Sequence, residues 1–152
     1  MIYSILGYWM PGPFEIIIIL IPPLIAPVIG LLPTIFYILS LQKALNKCKV
    51  ENRTMSPGSL WLYLIPFFNV FWHFVIVNSM AASLNKEFKS RQVQADPLPG
   101  KKLGLAMCIL TACSMLPLIG LLTLLAAFIC WICYWVKMVN YSELLAAEKA
   151  VA

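Results

Sequence analysis

Residues 52–72 read NRTMSPGSLWLYLIPFFNVFW, and this stretch decides the fold of the chain. It contains a helix-start signal, because Ser56 can cap a helix and Pro57 suits the first helical position. The apolar run that follows meets Pro66 and then Asn69. Proline removes a backbone donor and clashes with the preceding turn, so we expect the helix to break at this point.

The composition of the whole chain indicates the environment in which this break lies. Of 152 residues, 62% are hydrophobic and 11% are charged, whereas soluble domains are about 45–50% apolar and about 25% charged. A soluble fold this small has too little interior for so much apolar side chain. The composition excludes a soluble domain, a disordered tail and a disulfide scaffold, and it predicts a small integral membrane protein.

Charged residues divide the chain into hydrophobic segments. Residues 16–42, 54–85 and 103–136 are uncharged, and each stretch exceeds the roughly 20 apolar residues that cross a bilayer. We therefore expect an all-α integral membrane fold in one domain, residues 1–152. Prolines in the first stretch predict a broken entry and a distorted middle before a regular helix from Pro33. The expected helical segments are about 14–48, 57–91, 102–118 and 120–142.

Two amphipathic stretches extend beyond the hydrophobic segments. Apolar residues spaced three or four apart share one helix face, and a basic helix with one apolar face is typical of the membrane surface. Both stretches are therefore predicted to lie at the interface. Their apolar positions are Leu41, Leu45 and Cys48 in the first, and Met80, Leu84 and Phe88 in the second.

The positions of the cations pose a topology question. The connections 43–53 and 86–102 carry nine of the 11 Lys and Arg residues, and cytoplasmic loops are usually the basic ones. If segment two crosses the membrane once, these connections lie on opposite sides. If it bends back at residues 65–69, both face the cytoplasm. We favour the second alternative as the leading hypothesis, in which segment two is re-entrant or hairpin-like.

Lipid headgroups are the expected partners of these cations. A net charge of +5 would suggest nucleic acid in a soluble protein, but in a membrane protein it favours anionic headgroups, and we expect no nucleic-acid partner. The residues expected at the membrane surface are Lys43, Lys47, Lys49, Lys86, Lys89, Arg91, Lys101 and Lys102.

Three polar residues of segment two are candidates for an intramembrane function. His73 is the only histidine, and Asn69 lies on the same helix face, with Asn78 further along. Such residues usually point into the helix bundle and can line an ion path or a proton relay. The alternative is an interhelical hydrogen bond. We expect no metal site, because no second histidine and no intramembrane carboxylate complete a ligand set.

The cysteines give little support for redox chemistry. Cys130 and Cys133 form a CxxC pair inside an apolar run. A redox pair usually lies at a helix N-terminus with access to water, where the thiolate is stable. We therefore interpret both as small packing residues, and a membrane redox protein is the last alternative.

The stretch 52–72, with Ser83 and Leu84 downstream, resembles a set of uncharacterised small bacterial multi-pass membrane proteins. The resemblance covers residues 41–140 and implies a bacterial inner membrane location, without an activity to transfer. The residues that carry it are Asn52, Arg53, Pro57, Gly58, Trp61 and Pro66.

Together these features predict a non-enzymatic membrane subunit without a cofactor. Its broken helices need protein neighbours, because irregular backbone at membrane depth must be buried in protein or line a wet cavity. We expect a homo-oligomer or a larger membrane-protein partner, with the basic loops in the cytoplasm. The alternatives are a small oligomeric pore or transporter element that uses Asn69, His73 and Asn78, and a redox protein that uses Cys130 and Cys133.

Overall fold

The protein is built from helices joined by short turns. A computed structural model describes residues 12–66, 68–93, 96–116 and 119–151, and within these ranges it contains no β-strand. The all-α class predicted from the sequence is confirmed. The elements are α1 (Pro13–Lys47), a 3-10 turn (Val50–Asn52), a 3-10 helix (Pro57–Leu64), α2 (Phe68–Ser90), α3 (Lys101–Cys113) and α4 (Gly120–Val151).

The chain divides into two compact units, residues 1–36 and residues 37–152. In the first unit, the described part is the beginning of α1. The backbone N–H of Gly12 donates to the carboxylate of Glu15 at 3.2 Å. This contact is half of a capping box, and a negative charge in the first turn also favours the helix dipole.

Helix α1 begins at Pro13 and runs without interruption through its four further prolines. The prediction of a broken entry and a distorted middle is therefore wrong. Membrane helices tolerate proline more readily than soluble ones do. In the turn that contains Pro33, the hydroxyl of Thr34 adds a second donor to the carbonyl of Gly30, at 2.8 Å.

Segment two folds into a helical hairpin. The indole Nε1 of Trp72 donates to the carbonyl of Ser59 at 2.9 Å, and the hydroxyl of Thr54 donates to the carbonyl of Ser79 at 2.8 Å. Trp72, near the start of α2, contacts Ser59, whereas Ser79, further along α2, contacts Thr54, which precedes Ser59. The two segments of the hairpin therefore run antiparallel. The chain reverses at Pro66, where the sequence predicts a break; Phe67 lies outside the described residues.

Helices α3 and α4 form a second hairpin that packs on α2. A Cβ atom added to Gly104 would lie 2.5 Å from a Val77 methyl and 2.9 Å from the Tyr134 ring. Glycine at this position therefore lets three helices approach closely. At the turn, a Cβ on Gly120 would lie 2.6 Å from the carbonyl oxygen of Ser114, so the tight reversal also needs glycine.

The boundaries of this second hairpin differ from the expected segments. Helix α3 ends at Cys113 instead of residue 118, because a residue before proline disfavours the helical conformation. Pro117 itself lies outside the described residues. Helix α4 continues to Val151, nine residues beyond the expected end.

Each helix of the second unit contributes an apolar stripe to one core. The largest fully buried side chains are Tyr37, Ile38, Leu41, Leu45, Leu60, Ile76, Met80, Leu84, Met107, Tyr134, Met138 and Leu145.

Both amphipathic stretches face this core. Their six apolar residues are buried, and the ring of Phe88 contacts the ring of Tyr141 with centroids 5.6 Å apart. Their apolar faces therefore pack on protein, while the predicted location of these stretches at the membrane interface stays a prediction. The stripes have a periodicity that suits either location, and in this fold the neighbouring helices cover them.

Helix α4 is the candidate membrane span. Among the described residues, it is the one helix long and apolar enough to cross a bilayer, at Gly120–Ala147, and 17% of its most apolar window is buried. Its outward side chains include Leu121, which is 75% exposed, and Leu122, which is 74% exposed. By contrast, α3 has 13 residues, which gives about 20 Å, shorter than the roughly 30 Å hydrocarbon core.

Candidate functional site

The most developed polar site lies where α1 and α2 end, beside the C-terminal part of α4. We call it the Glu87 cluster, and it consists of Glu87 and Arg91 near the end of α2 with Lys49 and Asn52 in the loop after α1. The side chain of Glu87 is 0% exposed. A buried charge is stable only when it is paired and hydrogen-bonded, and the geometry of the cluster meets both conditions.

Both carboxylate oxygens of Glu87 have partners. One oxygen accepts from the backbone N–H of Lys49 at 2.9 Å and from the side-chain amide of Asn52 at 2.7 Å. The other oxygen forms a salt bridge with a terminal nitrogen of Arg91 at 2.7 Å and accepts from its Nε at 2.8 Å. The carboxylate is therefore saturated as an acceptor, which suits a structural link better than proton abstraction.

The balance of these contacts lowers the pKa of Glu87. Burial by itself raises the pKa of a carboxyl, but hydrogen bonds from Asn52, Lys49 and Arg91 favour the charged form and prevail. Glu87 lies outside the uncharged stretch 54–85, and its charged state holds at neutral pH.

The same contacts reach the C-terminal part of α4. Arg91 donates to the carbonyl of Leu145 at 3.0 Å and to the carbonyl of Lys47 at 3.1 Å. The ammonium group of Lys47 donates to the carbonyl of Ser142 at 2.8 Å. Of these three carbonyls, that of Lys47 lies at a helix end, where carbonyl groups lack helical partners; Ser142 and Leu145 lie inside α4, which continues to Val151. The contacts thereby join the ends of α1 and α2 to the C-terminal part of α4.

Arg53 closes the end of α1. Its Nε donates to the carbonyl of Cys48 at 3.0 Å, and a terminal nitrogen donates to the carbonyl of Asn46 at 3.0 Å. Burial of the neighbouring Cys48 thiol raises its pKa to about 11, and the Glu87 charge adds to this shift. A thiol that stays protonated is a poor nucleophile.

The eight basic residues expected at the membrane surface differ in exposure. Lys47 and Arg91 are partly buried and donate to backbone carbonyls, so they have a structural function in the fold, and their location at the membrane surface stays a prediction. Lys101, at the start of α3, is partly buried. The other five are exposed: Lys43, Lys49, Lys86, Lys89 and Lys102.

His73 belongs to a second cluster, within the helix bundle. Its Nε2 lies 3.0 Å from the hydroxyl of Tyr37, and both side chains are buried. The ring of Tyr63 packs edge-on against the imidazole, with centroids 4.7 Å apart. Trp131, Tyr134 and Trp135 pack around Tyr37. We call these six residues the aromatic cluster, and its His73–Tyr37 contact is an interhelical hydrogen bond between α2 and α1.

The two asparagines do not join His73. Asn69 is partly buried one turn away on the same face. Asn78 is exposed and donates to the carbonyl of Phe74 at 2.8 Å, in its own helix. Five residues correspond to about 140° around a helix, so Asn78 and His73 point in different directions. The structure does not bring the three candidates to one path.

The cysteines are free thiols. Among the described residues no disulfide is present, and Cys130 and Cys133 lie on α4 as partly buried and exposed side chains. In the ranges that the structure describes, no group of three or more His, Cys, Asp or Glu side chains is arranged to hold a metal.

The motif residues after Asn52 and Arg53 shape the hairpin. Pro57 begins the 3-10 helix, where the hydroxyl oxygen of Ser56 accepts from the backbone N–H of Ser59 at 3.3 Å. Gly58 has open space around it. Trp61 and Pro66 are exposed.

Sequence reasoning missed Glu87, Tyr37 and Tyr134. A signal for Glu87 exists, because it follows Leu84 by three positions and Met80 by seven and so lies on the apolar stripe of α2. Tyr37 and Tyr134 carry no such signal, since a tyrosine in an apolar run also suits the membrane interface.

Comparisons with protein-family models, with curated proteins and with solved structures find no match for this chain.

Proposed function

We propose that the chain is a non-enzymatic, multi-pass integral membrane protein that acts as an oligomeric or accessory subunit of a membrane complex. The observation that carries this proposal is the outer surface of α4. Large apolar side chains there are exposed from Leu121 to Val136, with Leu144 further along the candidate span. Such a surface is stable in contact with lipid or with another apolar protein surface, but not with water.

The arrangement of the cations supports a topology. The Glu87 cluster joins the loop after α1 to the end of α2, so the connections 43–53 and 86–102 lie at one end of the second unit. By the positive-inside tendency, this end faces the cytoplasm. The hairpin of the 3-10 helix and α2 then enters the membrane from the cytoplasmic side and returns to it. The resemblance of residues 41–140 to small bacterial membrane proteins favours the inner membrane.

The polar groups support a structural function for the interior. Glu87 is saturated by its partners, and His73 pairs with Tyr37. Polar side chains that bind one another fix helices in place. The pore alternative needs Asn69, His73 and Asn78 along one path, and no observation favours it. The redox alternative needs a thiolate at Cys130 or Cys133 inside an apolar helix.

Membrane extraction and mass measurement test the proposal. We expect the full chain to stay with the membrane after alkaline carbonate and to dissolve only in detergent. In two mild detergents, the complex should have at least twice the 17.1 kDa mass of one chain, from further copies or from a co-purifying protein. Release by carbonate would refute the membrane location. A lone monomer in both detergents would refute the subunit function.

A further inference from the structure

The cytoplasmic end of the proposed topology carries lysines that the fold does not use. Lys43, Lys49, Lys86, Lys89 and Lys102 are exposed. Among the described residues, the salt bridge that the structure contains is Arg91–Glu87, so none of the five ammonium groups is neutralised by a described carboxylate. Lys49 binds Glu87 through its backbone N–H, so its ammonium group takes no part in this contact.

The Glu87 cluster brings the elements that carry four of these lysines to one end of the second unit. Lys43 is in the last turns of α1 and Lys49 follows that helix, Lys86 and Lys89 are on the last turns of α2, and Lys102 is the second residue of α3. Contacts from Lys49 and Asn52 to Glu87 hold the first two elements together. Helix α3 starts beside α4, since a Cβ on Gly100 would meet the side chains of Met138 and Tyr134.

Exposed apolar side chains stand among these lysines. Val50, directly after Lys49, is 76% exposed, and Leu39, one turn before Lys43, is also exposed. Leu98 precedes Lys102 and is exposed as well. Nucleic acid would match the ammonium groups but not the apolar groups. A phospholipid at the membrane interface matches both, since it places a phosphate next to acyl chains.

We infer that this lysine surface binds the phosphate groups of anionic phospholipids in the cytoplasmic leaflet, and that it selects them over zwitterionic ones. The inference rests on the proposed membrane location and adds the class of lipid. Two groups of cations then have different functions. Lys47, Arg53 and Arg91 bind backbone carbonyls within the fold, while the five exposed lysines bind headgroups. Substitution of the second group should therefore change lipid selectivity without unfolding the protein.

Native mass spectrometry of the detergent-solubilised full chain tests this inference. Phosphatidylglycerol and phosphatidylcholine are titrated separately against the natural sequence and against Lys86→Gln with Lys89→Gln. A lysine near an anionic membrane surface contributes roughly fivefold in affinity. We expect the double variant to bind phosphatidylglycerol at least about fivefold more weakly, with binding of phosphatidylcholine unchanged. Adding Lys43→Gln, Lys49→Gln and Lys102→Gln should weaken phosphatidylglycerol binding further.

A matched control removes negative charge instead of positive charge. Glu51 and Glu143 are exposed carboxylates at the same end, so Glu51→Gln with Glu143→Gln should strengthen phosphatidylglycerol binding. Thermal melting verifies that each variant is folded. If the variant with all five lysines replaced is unfolded, the double variant decides alone.

Equal affinity of the natural sequence for both lipids, or unchanged affinity in the double variant, would overturn the inference. Competition by glycerol phosphate or by a short oligonucleotide as strong as by the lipid would overturn it too. Carbonate extraction separates these outcomes from failure of the membrane location.

Discussion

A carboxylate that loses its water is stable only if its oxygens accept other hydrogen bonds, and Glu87 illustrates what this requires. Its partners come from a loop amide, an asparagine and an arginine. Removal of one member of a buried ion pair is costly because the other charge stays behind. At the scale of the residue, stability of the polar end therefore depends on the charge of Glu87.

The substitution Glu87→Gln should lower the free energy of unfolding by about 3 kcal/mol, because Arg91 loses its carboxylate partner. Glu51→Gln is the matched control. Glu51 is exposed and lies in the neighbouring 3-10 turn, and its substitution should change stability by less than about 0.5 kcal/mol. Thermal unfolding of the detergent-solubilised chain measures both variants. Equal stability of the two variants would show that the Glu87 cluster is not structural.

Acid should weaken the same cluster. The pKa of Glu87 in the folded chain lies below its ordinary value of 4.5, so the unfolded state binds the proton more readily. The stabilisation is complete above pH 4.5 and is lost as the pH falls through the lower, folded pKa. Melting temperatures of the natural sequence and of Glu87→Gln should therefore converge as the pH falls below that value. A gap that stays constant down to pH 2 would contradict this.

Single residues were predictable from the sequence to different degrees. The break at Pro66 follows from backbone chemistry alone. His73 was a candidate, but its partner Tyr37 lies 36 positions away, and nothing local indicates the pairing. Glu87 could have been found on the apolar stripe of α2, whereas the carbonyl partners of Lys47 and Arg91 depend on how distant helix ends meet.

At the scale of the element, Gly104 decides how closely the helices pack. Its missing Cβ leaves room for Val77 on α2 and Tyr134 on α4. Gly104→Ala should lower the free energy of unfolding by about 2 kcal/mol, the usual cost of forcing an extra carbon into a packed core. Gly58→Ala is the control, because a Cβ at that position has nothing within 4 Å. Melting temperatures should fall for the first variant only; the same result for both would mean that Gly104 is not a packing constraint.

The helical elements were predictable as a class, but their surroundings were not. Hydrophobic periodicity indicated the stripe of Met80, Leu84 and Phe88, and periodicity does not say whether lipid or protein covers a stripe. The structure covers it with protein. Prolines predicted breaks in α1 that the continuous helix does not have, since the effect of proline depends on whether nearby groups satisfy the backbone.

At the scale of the whole molecule, the basic connections are separated from the two uncharged turns of the second unit. The hairpin contacts bring both basic connections to one end, while the turn at Pro66 and the turn before Gly120 lie in uncharged stretches. This separation suits a protein that enters the membrane from its basic side. In the proposed topology, segment two turns back within the membrane, and this is the central claim to be tested.

Labelling of two introduced cysteines tests that claim most directly. Val50→Cys and Asp96→Cys place exposed thiols in the two basic connections, and a membrane-impermeant maleimide is applied to intact cells and to inverted membrane vesicles. Labelling of the natural cysteines in the unaltered chain provides the background. We predict that both positions react in inverted vesicles and that neither reacts in intact cells. Reaction of one position from each side would show that segment two crosses the membrane once, and would contradict the account.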